Sequence, residues 1–348
     1  MSASQISAPL AALGVTNPVI AAPMAGGPTV PALVTGAWSA GSLGFLAGGY
    51  KSADALATQL SEVRTTTDVV GVNLFAPNPL PVDRAEYVRY AAAVQTVAGR
   101  YDLEVANSEP LEDDDAWSDK IDLLLTTPVP VVSFTFGVPP TSVISALANA
   151  GSYTVQTVTS PTEVAAAEAA GVDALAVQSA AAGGHRGVLD PRGLSEDRPL
   201  PELVAAVCRL TRLPVYAAGG VAGPADVTAA LAAGAGAVMV GTLLIRAVES
   251  GASAVHRTAV ADHDRGDPVV TKAFTGRPAR GLPNEFISRF EAIAPFGYPA
   301  VHHLTGALRK AAAAAGDPEL VNLWAGTGYR EAREEPAATI LEWLATDS

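Results

Sequence analysis

A glycine pair followed directly by a histidine is the feature of this sequence best suited to chemistry. The stretch AVQSAAAGGHRG, at residues 176–187, begins as an apolar strand and ends in Gly183, Gly184, His185 and Arg186. Glycine lacks a Cβ, so main chain built from it can approach a ligand closely. Histidine exchanges a proton near neutral pH without first being perturbed. His185 is therefore the candidate acid or base, and an ordinary glycine turn with an exposed histidine is the alternative.

Two more glycine-containing turns follow apolar stretches later in the chain. Gly219 and Gly220 come directly after Ala218, and Gly241 and Thr242 follow the apolar run at residues 237–240. Backbone amides at such turns often hold a phosphate in barrel enzymes, and a threonine hydroxyl adds one more donor. One pair alone would favour an ordinary strand-to-helix turn. Two consecutive pairs predict an anion site.

Other predicted strands end in groups that could hydrogen-bond a ligand. Pro23 and Met24 follow the first strand, Asn73 lies near the end of the third, and Gln156 lies in the fifth. Amide side chains and open main chain of this kind suit the edge of a flat, heterocyclic ligand. The sequence therefore predicts such a ligand across the strand ends, with His185 beside it.

The elements that must position these residues alternate between strand and helix. Eight strands are predicted, at residues 19–22, 43–47, 69–75, 130–136, 153–158, 173–178, 215–218 and 237–240. Alternation of this kind predicts a parallel sheet, and eight units predict closure into an α/β fold of the (β/α)8 TIM barrel type. The alternative is an open, doubly wound sheet, which usually carries G-x-G-x-x-G after its first strand. That pattern is absent from this sequence.

Two parts of the chain fall outside the alternation. Residues 76–128 hold a proline-rich opening, one predicted helix at about 83–100 and an acidic patch, and we interpret them as an insertion after the third strand. Residues 262–348 hold FTGRPARGLPN and Ala-rich helical stretches. We expect a barrel over residues 1–261 and a C-terminal helical segment packed on it. Arg277 and Arg280 are expected either to close over the ligand or to anchor this segment.

Composition narrows the classes of partner. The 348 residues carry a formal net charge of −13, which disfavours nucleic acid and anionic membrane surfaces because both repel a negative protein. Cys208 is the only cysteine, so an internal disulfide is excluded. No set of ligands at metal-binding spacing accompanies the histidines, so no metal is expected. The N-terminal stretch lacks a basic start and a long apolar run, which predicts a cytoplasmic protein without a signal peptide.

Six segments, taken in order, resemble the nitronate monooxygenase family, formerly called 2-nitropropane dioxygenases. They are NPVIAAPMAGG, GVNLF, AVQSAAAGGHRG, AAGGVAGPADV, VMVGT and FTGRPARGLPN, of which AGGHRG and AAGGV are the most specific. The resemblance spans nearly the whole chain and implies a barrel that binds FMN. It implies that the phosphate is held by Gly219, Gly220, Gly241 and Thr242, and that Ala218 also belongs to the cofactor site. It further implies a flavin and ribityl site formed by Ala22, Pro23, Met24, Asn73, Gln156, Gln178, Ala182, Gly183 and Gly184, with His185 as the catalytic histidine.

This resemblance implies oxidation of alkyl nitronates or nitroalkanes by O2 to a carbonyl compound and nitrite. His185 would remove the α-proton of a neutral nitroalkane as general base, and FMN would supply the redox chemistry. For a nitronate that arrives ionised, His185 or Arg186 would only steady the nitro oxygens. The chain departs from the family pattern at Ala181, where Glu is usual, at Ser179, where Gly is frequent, and at Gln156, where a basic residue is common. These departures bear on substrate preference.

Two other functions stay open at this point. FMN-dependent enoyl-acyl carrier protein reductases resemble the chain in the same AGGH segment, and such an enzyme would use NAD(P)H to reduce an enoyl thioester. A flavin-binding barrel without turnover is the third interpretation. Oxygen uptake with a nitronate, or NADH consumption with an enoyl thioester, would separate these functions. The apolar helices of the C-terminal part would suit a homodimer.

Overall fold

All eight predicted apolar stretches form strands in the computed structural model, which describes residues 6–193 and 197–346. The strands are β1 (Val19–Ala21), β2 (Phe45–Ala47), β3 (Gly71–Ala76), β4 (Val131–Phe136), β5 (Tyr153–Val158), β6 (Ala174–Gln178), the two-residue β7 (Gly184–His185), β8 (Val215–Ala218) and β9 (Ala237–Val240). All except β7 belong to one sheet. Their apolar character follows from burial on both faces, which is typical of parallel strands covered by helices.

The sheet closes on itself. Its strands run in the order β1-β9-β8-β6-β5-β4-β3-β2, and each neighbouring pair is parallel. The first and last strands meet at a parallel bridge between Ala21 and Gly44, where the Ala21 amide donates to the Leu43 carbonyl at 3.0 Å. The fold is therefore a (β/α)8 barrel, which confirms the sequence prediction.

Helices surround the barrel. Besides α1 (Ala8–Ala12), they comprise α2 (Pro31–Ser39), α3 (Ala53–Arg64), α4 (Arg84–Ala98), α5 (Trp117–Thr126), α6 (Thr141–Asn149), α7 (Val164–Ala170), α8 (Leu200–Cys208), α9 (Pro224–Ala232), α10 (Ala254–Ala261), α11 (Glu285–Phe290), α12 (Ala300–Ala315) and α13 (Ala337–Leu344). α5 lies in the stretch interpreted as an insertion, where the sequence predicted a single helix, and it packs against α3 and α6. α13 packs between α2 and α9 and so completes the ring of helices.

The C-terminal segment lies against the strand ends. It contributes β10 (Val269–Thr271) and β11 (Ala279–Gly281), which pair antiparallel, and β11 also pairs with β7. Arg280 anchors this small sheet, because its Nε donates to the Ala180 carbonyl at 2.8 Å and its Nη1 donates to the Pro268 carbonyl at 2.8 Å. Of the two expected roles, Arg280 therefore takes the anchoring one.

Two negative findings apply to residues 6–193 and 197–346. None of the helices there combines the length and the apolar character that a membrane crossing requires. No group of three or more histidine, cysteine, aspartate or glutamate side chains in these ranges is arranged to hold a metal ion.

Candidate active site

A cavity of about 630 Å³ lies at the carboxyl ends of the barrel strands, where barrel enzymes build their sites. His185 lines it together with nearly all the predicted cofactor residues. Those that line it are Ala22, Pro23, Met24, Asn73, Gln178, Ala182, Gly183, Gly184, Ala218, Gly219, Gly220, Gly241 and Thr242. The structure thus brings together residues that are spread over more than 200 positions of the sequence.

Gln156 is the predicted residue that the structure places elsewhere. Its side chain is completely buried, and its Nε2 donates to the carbonyls of Gly137 and Thr157 at 3.1 and 3.0 Å. Side chains alternate between the two faces of a strand. On β5 the neighbouring Thr157 lines the cavity and Val155 belongs to the apolar cluster inside the barrel. Gln156 therefore points outward, toward the helices.

The rim at the ends of β8 and β9 is built from main chain. Gly219 and Gly220 have φ of +99° and +79°, a left-handed conformation that glycine adopts without strain. A Cβ on Gly219 would lie 2.7 Å from the Ala182 Cβ. The amides of Gly219, Gly220, Gly241 and Thr242 donate to no acceptor in the described parts of the chain. Free N–H groups that line one cavity are suited to binding an anion.

Gln178 holds the loop that carries His185. Its Nε2 donates to the His185 carbonyl at 3.2 Å, and its Oε1 accepts from the Gly187 amide at 2.7 Å. From the other side, β7 is paired with β11, with His185 opposite Ala279. The histidine is therefore fixed by a cavity-lining side chain and by a strand from the C-terminal segment.

The hydrogen bonds around His185 favour one tautomer. Its Nε2 lies 2.9 Å from the Thr275 Oγ1, and the Thr275 hydroxyl donates to the Arg277 carbonyl at 3.1 Å. A hydroxyl has one hydrogen, and a carbonyl can only accept. Both contacts are satisfied together when Nε2 carries the proton and donates to Thr275, and in that tautomer the lone pair is on Nδ1.

Two arginines set the electrostatics beside His185. Burial, followed by the positive charges of Arg277 and Arg309, lowers the pKa of His185 to about 3, so the imidazole is neutral at physiological pH. Arg277 is fully buried, with its guanidinium 4.0 Å above the Phe136 ring. Arg309 directs its guanidinium to Thr305, Asn322 and the His302 carbonyl rather than to a carboxylate.

Aromatic residues form the walls around the imidazole. Ring centroids of Trp324, Phe136 and Tyr298 lie 5.6, 5.7 and 5.8 Å from that of His185. Phe136 adopts a positive φ of +82°, a strained conformation for a bulky residue of the kind that clusters at functional sites. None of these three side chains is singled out by the sequence pattern.

The C-terminal segment also closes the rim. The Gly326 amide donates to the Thr242 Oγ1 at 3.0 Å, and the Thr327 amide donates to the Ala181 carbonyl at 3.1 Å. A Cβ on Gly183 would lie 2.5 Å from the Gly326 nitrogen. The close approach of two glycine-containing segments therefore explains why Gly183 carries no side chain.

A closed (β/α)8 barrel with a rim of free main-chain amides and a neutral imidazole in one cavity is typical of a barrel enzyme. The family model of nitronate monooxygenase matches residues 7–347. The chain therefore belongs to the nitronate monooxygenase family and is an oxidoreductase, which confirms the resemblance seen in its sequence.

Three known proteins are similar to this chain, and the first two agree with that assignment. A probable nitronate monooxygenase of Staphylococcus aureus is 36% identical over 337 residues, covering 94% of this chain and 93% of that protein. The solved structure of nitroalkane oxidase from Streptomyces ansochromogenes is 43% identical, with a TM-score of 0.92, covering 98% of this chain and 97% of that one. FabK from Thermotoga maritima is 26% identical, with a TM-score of 0.73, covering 95% and 92%.

Proposed function

We propose that this protein oxidises alkyl nitronates and nitroalkanes with O2 to a carbonyl compound and nitrite. FMN is the proposed cofactor, and His185 is the proposed general base for neutral nitroalkanes. The observation that carries the proposal is the contact of His185 Nε2 with Thr275 beside a neutral imidazole, because an imidazole that donates from Nε2 to Thr275 keeps Nδ1 to take a proton.

The cavity residues fit FMN. The free amides of Gly219, Gly220, Gly241 and Thr242 suit its phosphate. Asn73 lines the cavity and donates from Nδ2 to Ser133 and Thr135, while its Oδ1 accepts no hydrogen bond from the described residues. That oxygen can accept from an N–H at the edge of the flavin ring. When bound, FMN supplies the electron acceptor that no side chain here can provide.

The side chains of this protein transfer the proton and stabilise the developing charge. His185 accepts the α-proton at Nδ1 and so converts the neutral nitroalkane into its nitronate. Arg309, which lines the cavity without a carboxylate partner, favours the negative charge that develops on the nitro oxygens. Once that anion is present, it also offsets the repulsion between the two arginines and the imidazolium. The aromatic walls exclude water from the proton transfer.

The test begins with the absorption spectrum of the purified protein and with nitrite release from nitroethane and ethyl nitronate. His185→Asn should lower nitroethane turnover by about 100-fold or more, the usual contribution of a general base, and leave ethyl nitronate turnover and flavin content unchanged. His263→Asn changes an exposed histidine and is the control. Full nitroethane activity in His185→Asn contradicts the assigned role. NADH consumption with an enoyl thioester, without nitrite release from any nitronate, contradicts the proposed reaction.

A further inference from the structure

A second histidine, His302 on α12, lines the same cavity as His185. Both imidazoles pack against the ring of Tyr298, with centroids 5.8 and 6.3 Å from it. Electrostatic interaction with His185 also lowers the pKa of His302, which places the two rings within one electrostatic environment. The two histidines therefore belong to one site, although the proton transfer proposed above uses only one of them.

Arg309 indicates which nitrogen of His302 carries a hydrogen. Its Nη2 lies 3.2 Å from His302 Nδ1 and donates to the His302 carbonyl at 2.9 Å. Guanidinium nitrogens donate and cannot accept, so the contact with the ring is satisfied when Nδ1 is the acceptor. In that tautomer the hydrogen of the neutral imidazole is on Nε2.

The charge state of His302 limits what this ring can do. Burial, followed by the charges of Arg309 and of the neighbouring histidines, lowers the pKa of His302 far below its usual range. The ring is therefore neutral at physiological pH. Since Nδ1 is occupied by Arg309, the neutral ring offers a donor at Nε2 and no second base.

The Nε2 of His302 has no partner in the described parts of the chain. It makes no hydrogen bond with the residues there, and they do not enclose it. The side chain lines the cavity that holds His185 and also an adjoining cavity of about 690 Å³. A polar group without a protein partner in such a place usually bonds to a ligand or to ordered water.

The ring of His302 is held in place from a second side by Tyr50. The two rings stack with centroids 4.1 Å apart and an angle of 4° between their planes. Tyr50 itself has a φ of +65°, which is rare for a bulky residue, and its amide donates to the Asp115 carboxylate at 2.8 Å. Backbone conformations of this kind cluster at functional sites. Contacts with Arg309 and Tyr50 thus fix the Nε2–H before any substrate binds.

A nitro group matches this arrangement of donors. It carries its negative charge on two oxygens, and Arg309 supplies positive charge in the same cavity. A donor that is fixed in advance stabilises developing charge without reorganisation. The nitro nitrogen is bonded directly to the α-carbon, so the base for the α-proton and a donor to a nitro oxygen must share one cavity, as His185 and His302 do.

We propose that His302 is a second catalytic residue, which donates its Nε2–H to a nitro oxygen of the substrate while His185 accepts the α-proton. The electron pair of the broken C–H bond forms the C=N bond of the nitronate, and one N–O π pair moves onto oxygen. His302 keeps its hydrogen throughout, and its hydrogen bond becomes stronger as that oxygen gains charge. This inference rests on the proposed function, and it extends to nitronates that arrive ionised, since they present the same oxygens.

Two substitutions of His302 separate donation to substrate from support of Arg309. An asparagine side chain ends near the position of Nδ1, where its Oδ1 can accept from Arg309, but it does not reach the position of Nε2. A glutamine side chain reaches the position of Nε2 and can donate there. Both variants lose the stacking on Tyr50, so a difference between them reports the donor.

Nitrite release from preformed ethyl nitronate gives the first measurement. His302→Asn should lower kcat/KM by about tenfold or more, the usual effect of losing a hydrogen bond to a charged group, and His302→Gln should stay within about threefold of wild type. Nitroethane should show the same two factors, because both substrates present nitro oxygens. The pattern differs from that of His185→Asn, which is expected to affect nitroethane alone.

Propionate gives a second measurement that does not depend on turnover. It has as many non-hydrogen atoms as ethyl nitronate and carries its charge on two oxygens of a planar group. Its dissociation constant, measured by isothermal titration calorimetry, should rise about tenfold in His302→Asn and stay within about threefold in His302→Gln. His303→Gln is the control, because His303 is the next residue on α12, lies 2.9 Å from Asp113 and does not line the first cavity. It should leave both measurements unchanged.

The outcomes distinguish this inference from the function on which it rests. If His302→Asn behaves like wild type and His302→Gln is impaired, the ring only supports Arg309 and the inference is overturned. Equal losses in both variants overturn it as well, because they report the lost packing on Tyr50. If the wild type releases no nitrite from any nitronate, the proposed function fails, and the propionate affinities alone decide whether His302 binds an anion.

Discussion

Replacing Thr275 with valine tests the link between the His185 tautomer and proton abstraction. Valine keeps the shape of threonine but removes the Oγ1 that lies 2.9 Å from His185 Nε2. The imidazole can then move its proton to Nδ1, and Nδ1 then has no lone pair with which to accept the α-proton. Thr275 is 1% exposed and does not line the cavity, so it acts through His185 as a positioning residue.

The expected magnitude follows from the lost hydrogen bond. A neutral hydrogen bond contributes a net of about 0.5–1.5 kcal/mol, and 1.4 kcal/mol corresponds to about tenfold in rate. Turnover of nitroethane should therefore fall about tenfold. Turnover of ethyl nitronate should stay within about twofold of wild type, because that substrate arrives without the α-proton. The Arg277 carbonyl also loses its donor, which should lower the free energy of unfolding by about 1–2 kcal/mol.

The assay compares nitrite release from both substrates with the flavin content of each preparation. Thr154→Val is the matched control, because Thr154 is completely buried and bonded to Asp173, away from the cavity. It should lower stability without changing the ratio of the two activities. An equal loss of both activities in Thr275→Val would refute the tautomer explanation, since it would show a general effect on folding or cofactor binding.

Three other changes probe the rim, the titration and the buried ion pair. Gly219→Ala should lower flavin retention after dialysis about tenfold, because the added Cβ would displace the rim. Gly151→Ala is the control and should leave flavin retention unchanged, because Gly151 has a similar φ of +97° but an added Cβ would have no atom within 4 Å. Burial lowers the pKa of His256 from 6.5 to about 4, so the unfolded chain takes up its proton first as the pH falls. This histidine should therefore lower the free energy of unfolding by about 1.4 kcal/mol for each pH unit between pH 6.5 and about 4. His256→Asn should reduce that pH dependence, measured by urea unfolding at several pH values. Lys120→Met should destabilise by about 2 kcal/mol, because Asp115, whose side chain is 17% exposed, loses its counter-charge, and adding Asp115→Asn should restore most of the loss in the same measurement.

The strands were predictable because parallel strands buried on both faces read as short apolar runs between turns. Because such strands are apolar on both faces, their sequence does not show which side chains point into the barrel and which point toward the helices. Gln156 lies at the right end of the barrel, but strand periodicity turns it away from the cavity and turns Thr157 toward it. If Val155 had been known to face the barrel interior, the alternation of side chains along β5 would have placed Thr157 on the same face. Local pattern alone does not give that starting point.

The aromatic walls could not be predicted, since their position depends on tertiary structure. Tyr298, Trp324 and Arg309 come from the segment after the eighth barrel strand, and no repeat or spacing relates them to His185. The helix α5 illustrates the same limit. Its sequence WSDKIDLLLT follows an acidic stretch, and its place in the helical ring is decided by packing against α3 and α6.

The contacts of Gly326 and Thr327 with the rim have a consequence for biosynthesis. A ribosome translates the eight barrel strands before it reaches these two residues, so the nascent barrel lacks one side of its rim until residues 326 and 327 have been made. If the proposed FMN needs that side of the rim, a nascent chain can retain it only after residues 326 and 327 have left the exit tunnel.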